Sequence, residues 1–571
     1  AIELNPKYAD AYLFLGVLYY EQKNYDLARK NYERALELDP KYADAYLFLG
    51  VLYYEQKNYE LARKNYERVL EIDSNNVYTY NFLGDLYKEI GEYDLARKNY
   101  ERALELDPKY VNAYYNLGNL YYDLGNYELA KKNYERALEL DPKYVNAYNG
   151  LGDLYSKMKN YDLARKNYER AIELDPKSLK AYNDLGLLYE KLSNYELARK
   201  NYERAIELDP KNAIVYYNLG LLYGKLGNYE LAKENYKRAI ELNPRYVNAY
   251  NNLGKTYQKL SNYDLAKKNY ERVLELDPKD VGAYYNLGVL YYEQKNYDLA
   301  LKNYERVLEL DPKYVYAYFG LGLLYYEQKN YELACKNLEK VLELDSNNVD
   351  AYNFLGDVYK ELGEYDKALK NYERVLELDP KYVKAYNILG LLYYNLGNYE
   401  LVRKNYEKVL ELDPKYVDAY FGLGYLYYTQ GDYDKARKNY EKVLELDPKY
   451  VDAYNGLGDV YLKLDNYDIA RKNYEKVIEI DLNNVNAYNG LGNVYYNLGE
   501  YDIARKNYER AIELDPKNVK AYYGLGNVYY IQGNCDLAKK NYERAIEIDP
   551  KYVNAYGNLA NMYYNLQKYE E

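Results

Sequence analysis

The sequence predicts an all-α protein made by stacking one helix–turn–helix unit many times. Three observations carry this. A 34-residue string recurs in register along the chain, so that Pro6 to Asp39 and Pro40 to Asp73 are nearly identical. All 14 prolines fall on the phase of Pro6, and only Ser74, Ser346 and Leu482 replace proline there. Each half of the string carries apolar residues at helical spacing. No insertion or deletion breaks the count, so the 571 residues read as one continuous array rather than as separate globular domains. Residues 1–8 form a partial unit, 9–552 form sixteen 34-residue units, and 553–571 form a partial terminal unit.

Within a unit, Tyr12, Leu15, Gly16 and Tyr19 fall at i, i+3, i+4 and i+7, one stripe of a helix over about 9–22. This A helix breaks at Lys23-Asn24, where other units carry Gly91, Gly125 or Gly363. Asn24 is placed to cap the next helix, with Asp26 facing the positive end of its dipole. Ala28, Tyr32 and Ala35 give the stripe of a B helix over about 25–38, which Pro40 ends by disfavouring helical geometry at Asp39. Tyrosines of the A stripe, such as Tyr216, are expected in the core. The Gly16 place holds glycine in 16 of 17 units, Ala560 being the exception. Glycine costs about 0.5–1 kcal/mol against alanine in a helix, so its persistence implies close approach by another helix. The Ala28 place departs from alanine at Val402.

These residues carry a resemblance. Tyr12, Leu15-Gly16, Tyr19, Ala28, Tyr32, Ala35 and Pro40 resemble the signature of the tetratricopeptide repeat, with tyrosine where the family often has tryptophan. The resemblance spans the chain in about 17 tandem copies. It implies an α-solenoid, a right-handed superhelix with A helices lining a concave groove and B helices forming the convex back. It also implies a non-enzymatic scaffold that binds a protein or peptide.

Composition narrows the chemistry. The net charge of -12 disfavours nucleic acid, which needs a basic face. There is no histidine, and Cys335 and Cys535 lie 200 residues apart, so neither a metal site nor a cofactor is expected. No apolar run approaches the roughly 20 residues of a membrane span. The compartment stays open. Gly254-Lys255-Thr256 imitates the end of a phosphate loop, but it lies inside an A helix whose backbone N–H groups are already used.

Differences between units concentrate on a second face of the A helix, at the places of Asp10, Leu13, Phe14, Val17, Tyr20 and Glu21. That face either meets a partner or is solvated and free to drift. It is rich in asparagine: Asn81, Asn116, Asn149, Asn183, Asn218, Asn251, Asn252 and Asn286, then Asn353, Asn387, Asn455 and Asn489. An amide both donates and accepts, so it can hold a peptide backbone without reading side chains. Such a row resembles the asparagine-lined tetratricopeptide groove of O-GlcNAc transferase, although here the asparagine shifts among neighbouring places. The Leu13 place is never lysine, which argues against the carboxylate clamp of chaperone-binding members. Lys88, Lys180, Lys255, Lys360, Lys384 and Lys520 are scattered over the face.

A longer period is present as well. Ser74-Asn75-Asn76-Val77 and Ser346-Asn347-Asn348-Val349 stand eight units apart, which implies a duplicated block at 6–277 and 278–549. The expected function is a scaffold holding an extended segment in the groove. Alternatives are a structural protein stacking end to end into a fibre, and the substrate-recognition arm of an enzyme whose catalytic domain lies outside this segment. End-to-end self-association is expected because the first unit keeps its apolar stripe and the last departs only at Ala560, Met562 and Gln567.

Overall fold

A computed structural model describes residues 8–565, which form 33 α-helices and no strand. Pro6 and Gln567, and with them the outer parts of both partial units, lie outside the described residues. The first A helix is Ala9–Glu21 and the first B helix Tyr25–Leu38. Local chemistry sets both boundaries. Lys23 turns into the left-handed region at φ 58°. The N–H groups of Asn24 and Lys23 then donate to the carbonyls of Tyr19 and Tyr20 at 2.8 and 2.9 Å, closing the A helix. Glycine relieves the strain of this turn in half of the repeats, as at Gly91, while Lys23 or Asp465 bears it in others. Asn24 next accepts from the backbone N–H of Leu27 at 3.3 Å and starts the B helix.

The B helix stops at an extended Asp39. The Asp39 carboxylate accepts from the N–H of Lys41 at 3.0 Å, and its carbonyl from the N–H of Tyr42 at 3.1 Å. Pro40 presets the backbone of this turn. Aspartate is therefore as much a part of the stop signal as proline, and Asn243 performs the same role toward Arg245 at 3.1 Å.

The core lies between a B helix and the A helices on either side. Ala198, Tyr202 and Ala205 pack with Val215, Leu219 and Leu222 of the following A helix. The Tyr202 ring also packs against the bare backbone of Gly186 in the preceding A helix. A Cβ at Gly186 would stand 2.6 Å from Tyr202 Cε1, inside contact distance. This explains the glycine of the Gly16 place.

The predicted A stripe is corrected in part. The Leu15 and Gly16 places are buried, as at Leu49 and Gly50. The third core position, however, is the Leu18 place, as at Leu52, and residues at the Tyr12 and Tyr19 places, such as Tyr46 and Tyr53, are only half-buried, with Tyr257 an exception. Tyr216, expected in the core, is half-buried, with the Arg238 guanidinium 5.9 Å over its ring. Its equivalent Tyr250 donates its O–H to the Pro244 carbonyl at 3.4 Å. Both tyrosine stripes flank the core because each phenol keeps its polar end at the edge.

The chain forms two compact units, one up to Leu290 and one from Tyr291. Within each, most consecutive A helices touch, whereas contacts between consecutive B helices are sparse or absent among the described residues. Each unit therefore curves with its A helices on the inner face. The outer face carries exposed pairs such as Arg102–Glu105 at 2.8 Å, which add little stability individually. No described helix is long and apolar enough to cross a membrane.

The burial pattern separates two tyrosines of one array. Tyr202→Ala should cost roughly 3–5 kcal/mol locally, and Tyr216→Ala less than half as much. Hydrogen exchange should report faster exchange only in the repeats around each substitution, since contacts are between neighbours. Equal losses for the two variants would contradict the assignment of the core.

Candidate functional site

The inner face is the surface that A helices present between their points of contact. Of the twelve asparagines singled out in the sequence, seven are buried: Asn81, Asn149, Asn218, Asn286, Asn353, Asn455 and Asn489. Asn116, Asn183, Asn251, Asn252 and Asn387 are partly exposed.

Several of the amides bond to each other across repeats. Asn116 donates to Asn81 Oδ1 at 3.1 Å, Asn218 to Asn183 at 2.8 Å, and Asn286 to Asn251 at 3.4 Å. In each pair a residue at the Leu13 place meets one at the Phe14 place of the next A helix, 35 residues on. Asn252 meets Tyr217 O–H at that same offset, at 3.0 Å. The apparent drift of asparagine between neighbouring places is thus a pairing rule. It is legible in sequence only when two repeats are compared at this offset.

Two others bond differently. Asn455 and Asn489 donate to Asn484 and Asn518, the caps of the next A helices, at 3.4 and 3.1 Å. The Oδ1 atoms of Asn149, Asn353, Asn455 and Asn489 are buried without a hydrogen-bond partner among the described residues.

The Val17 place adds acceptors beneath this surface. The buried tyrosine found in all but one of the B helices has a hydroxyl to satisfy. Tyr100 donates to Asp85 at 2.7 Å, Tyr168 to Asp153 at 2.7 Å, and Tyr474 to Asp459 at 2.6 Å. Asn119, Asn493 and Asn527 accept the same bond at 2.8 Å in their repeats. Burial raises the Asp85 pKa to about 6, against the opposing pull of the Tyr100 hydrogen bond and Lys88. The Asp459 carboxyl is pushed up for the same reason. The Tyr100 phenol rises far above its ordinary value, first by burial and then by the Asp85 charge. Sequence comparison marked the Val17 place as variable but gave no sign that its acids serve a buried hydroxyl.

One cavity of the second unit opens on the inner face between A helices Val383–Asn395 and Val417–Thr429. It holds about 470 Å³. Leu391, Tyr394, Phe421 and Tyr425 wall it, and Asn387 supplies an amide. Tyr394 and Tyr425 pack at 5.2 Å between ring centroids, and Phe421 and Tyr450 at 5.3 Å. Gly422 leaves the space open, and the Tyr406 ring beneath would stand 2.5 Å from any Cβ there. Leu391 and Tyr425 are about half exposed, at 51% and 46%. Asn387 makes no hydrogen bond to another described residue. The arrangement can take an apolar side chain and bond one peptide group.

The raised Asp85 pKa has a definite sign. A carboxyl that is harder to ionise in the folded state favours folding below its unfolded pKa, and that contribution is lost as pH rises through about 6. Asp85→Asn keeps the acceptor for Tyr100, as Asn119 does for Tyr134. It should stabilise its repeats by on the order of 1–2 kcal/mol at pH ~8 and by almost nothing at pH ~4. Local hydrogen exchange at the two pH values checks this, and an equal gain at both would contradict it.

Comparison with known proteins gives the family. The family model described as "Tetratricopeptide repeat" matches residues 109–177, 143–211, 177–245, 212–279, 245–313 and 280–347. The model described as "TPR repeat" matches 16–57, 84–125, 356–397, 393–431, 424–465, 458–499, 492–533 and 526–567. Further tetratricopeptide models match 1–30, 43–76 and 337–370. No curated protein matches the chain. Among solved structures, the chain is similar to that of the APC/C hetero-tetramer Cut9-Hcn1, at 17% identity over 79% of this chain and 96% of that one, with a TM-score of 0.40. Yeast Tom70 is similar at 18% identity over 75% and 97%, with a TM-score of 0.34. YrrB, whose structure is titled as a TPR protein with an unusual peptide-binding site, is similar at 28% identity over 32% and 95%, with a TM-score of 0.26. The family models cover well over half of the chain and agree with its helix pairs and glycine-backed tyrosines: the chain belongs to the tetratricopeptide repeat family.

Proposed function

We propose that this protein-interaction scaffold holds an extended segment of a partner protein along the inner face of its A helices. In this reading the pocket beside Asn387 anchors one apolar side chain of that segment. The observation that carries the reading is the pocket itself: aromatic walls, an exposed mouth, and the Asn387 amide, which bonds to no other described residue. The partly exposed Asn116, Asn183, Asn251, Asn252 and Asn387 meet the backbone of the segment. The buried Asn81, Asn218, Asn286, Asn455 and Asn489 hold the face in shape through bonds between repeats, and the buried Asn149 and Asn353 lie among them. The role is binding rather than catalysis.

A peptide library selected on the full chain supplies ligands for the test. The double variant Leu391→Glu, Tyr425→Ala alters exposed side chains and should leave the melting curve in place while weakening those ligands at least ~tenfold. Asn387→Ala should weaken them about 2- to 10-fold, the loss of one net hydrogen bond. Unaltered affinity in both variants would overturn the reading.

A further inference from the structure

The last residue of each A helix changes sign partway along the first unit. It is Glu21, Glu55, Glu89 and Asp123 in the first four A helices, then Lys157, Lys191, Lys225 and Lys259 in the next four. The helix dipole does not explain this, because it favours a cation at every one of these C-termini. Over the whole inner face of the second set, six lysines (these four with Lys180 and Lys255) face three carboxylates, Asp153, Asp184 and Glu190. The corresponding face of the first set has seven carboxylates and one lysine, Lys88.

The four terminal lysines are exposed. Lys191 Nζ donates to Ser156 Oγ at 3.1 Å, and Lys225 lies 3.9 Å from Glu190. Lys157, Lys255 and Lys259 have no carboxylate within ion-pair distance among the described residues. Lys180 differs, bridging Asp153 at 2.8 Å and Asp184 at 2.5 Å. Burial works against its charge, yet the two carboxylates hold its pKa above the ordinary lysine value. The inner face thus has one internally neutralised centre and an edge of cations open to solvent.

We propose that residues 145–259 bind an extended acidic segment of a partner protein, with carboxylates at about every third residue. This rests on the reading of the inner face given under Proposed function and adds the chemistry of one stretch of it. The spacing follows from geometry. Touching helices lie about 8–10 Å apart, and an extended chain advances about 3.3 Å per residue, so one lysine per A helix matches one acid per three residues. Asp153, Asp184 and Glu190 on the same face oppose a phosphate backbone charged at every step. A segment with spaced acids can pass neutral residues over them.

The test uses the full chain and a labelled synthetic peptide with glutamate at every third position, beside its glutamine counterpart. Fluorescence anisotropy should show the glutamate peptide binding at least ~tenfold tighter at low salt, with the preference disappearing at high salt. The variant Lys157→Glu, Lys191→Glu, Lys225→Glu, Lys259→Glu installs the residue that Glu21, Glu55 and Glu89 already hold at this place, so its helix content should match wild type. It should lose the preference, and the milder variant with four Lys→Gln changes should lose most of it. Equal binding of the two peptides overturns the proposal while leaving the inner face as a peptide groove. Failure of both peptides and of all library-selected ligands removes both readings. Tighter binding of a single-stranded oligonucleotide overturns it in favour of nucleic acid. A salt-sensitive dimer in sedimentation that the charge-reversed variant abolishes overturns it in favour of a second copy of this chain.

Discussion

The architecture depends on one contact, a buried tyrosine ring laid on helix backbone that has no side chain. Tyr202 on Gly186 is one instance, and Tyr440 shows its full extent. There Gly424 of the preceding A helix and Gly456 of the following one both face the ring closely enough to exclude a Cβ. The ring fixes how near three helices can come, and the same ring in almost every B helix fixes it equally along each unit. Where Phe48 or Phe82 stands in place of the second glycine, it stacks on the ring instead, at 5.8 and 5.9 Å between centroids. In one repeat Leu338 replaces the tyrosine, and Gly322 remains beneath it.

A buried phenol brings an obligation, since its hydroxyl must find an acceptor away from water. Asp85, Asn119, Asp153 and their equivalents meet it from the A helix, and Gln258 meets it from a neighbouring place at 3.1 Å from Tyr270. The polar residues of the inner face are therefore not simply a wetted surface. One layer of them satisfies the core and a second layer, the paired amides, ties successive A helices together. What these two layers leave exposed is smaller: the pocket beside Asn387, the partly exposed amides and the cationic edge.

Much of the fold was legible because its signals are local. Proline phase gave the period, Asn24 the start of the B helix, and Gly91 the break between the two helices. The Gly16 place signalled a close neighbour before that neighbour was known to be Tyr32. The errors came where two stripes of one helix were both apolar. Tyr46, Leu49 and Tyr53 are as regularly spaced as Ala45, Leu49 and Leu52, and only packing shows that the second set enters the core. Of the candidate site, the inner face was found but not its internal economy. A pair such as Asn183 and Asn218 spans two repeats, and the sign change from Asp123 to Lys157 becomes visible only when one place is followed from helix to helix.

The amide pairs also bear on how such an array can change its copy number. Leu13 faces Phe48 across the first junction, and the next junction repeats the pairing with Leu47 and Phe82. Losing or gaining the repeat between them would rejoin identical surfaces. Loss of the repeat that holds Asn116 would instead set Asn81 opposite Gly150 and take the donor from its Oδ1. Recombination between repeats is therefore close to neutral at some junctions and costly at others. The paired residues act as genetic punctuation, holding a particular order of units in an array whose scaffold alone would accept any order.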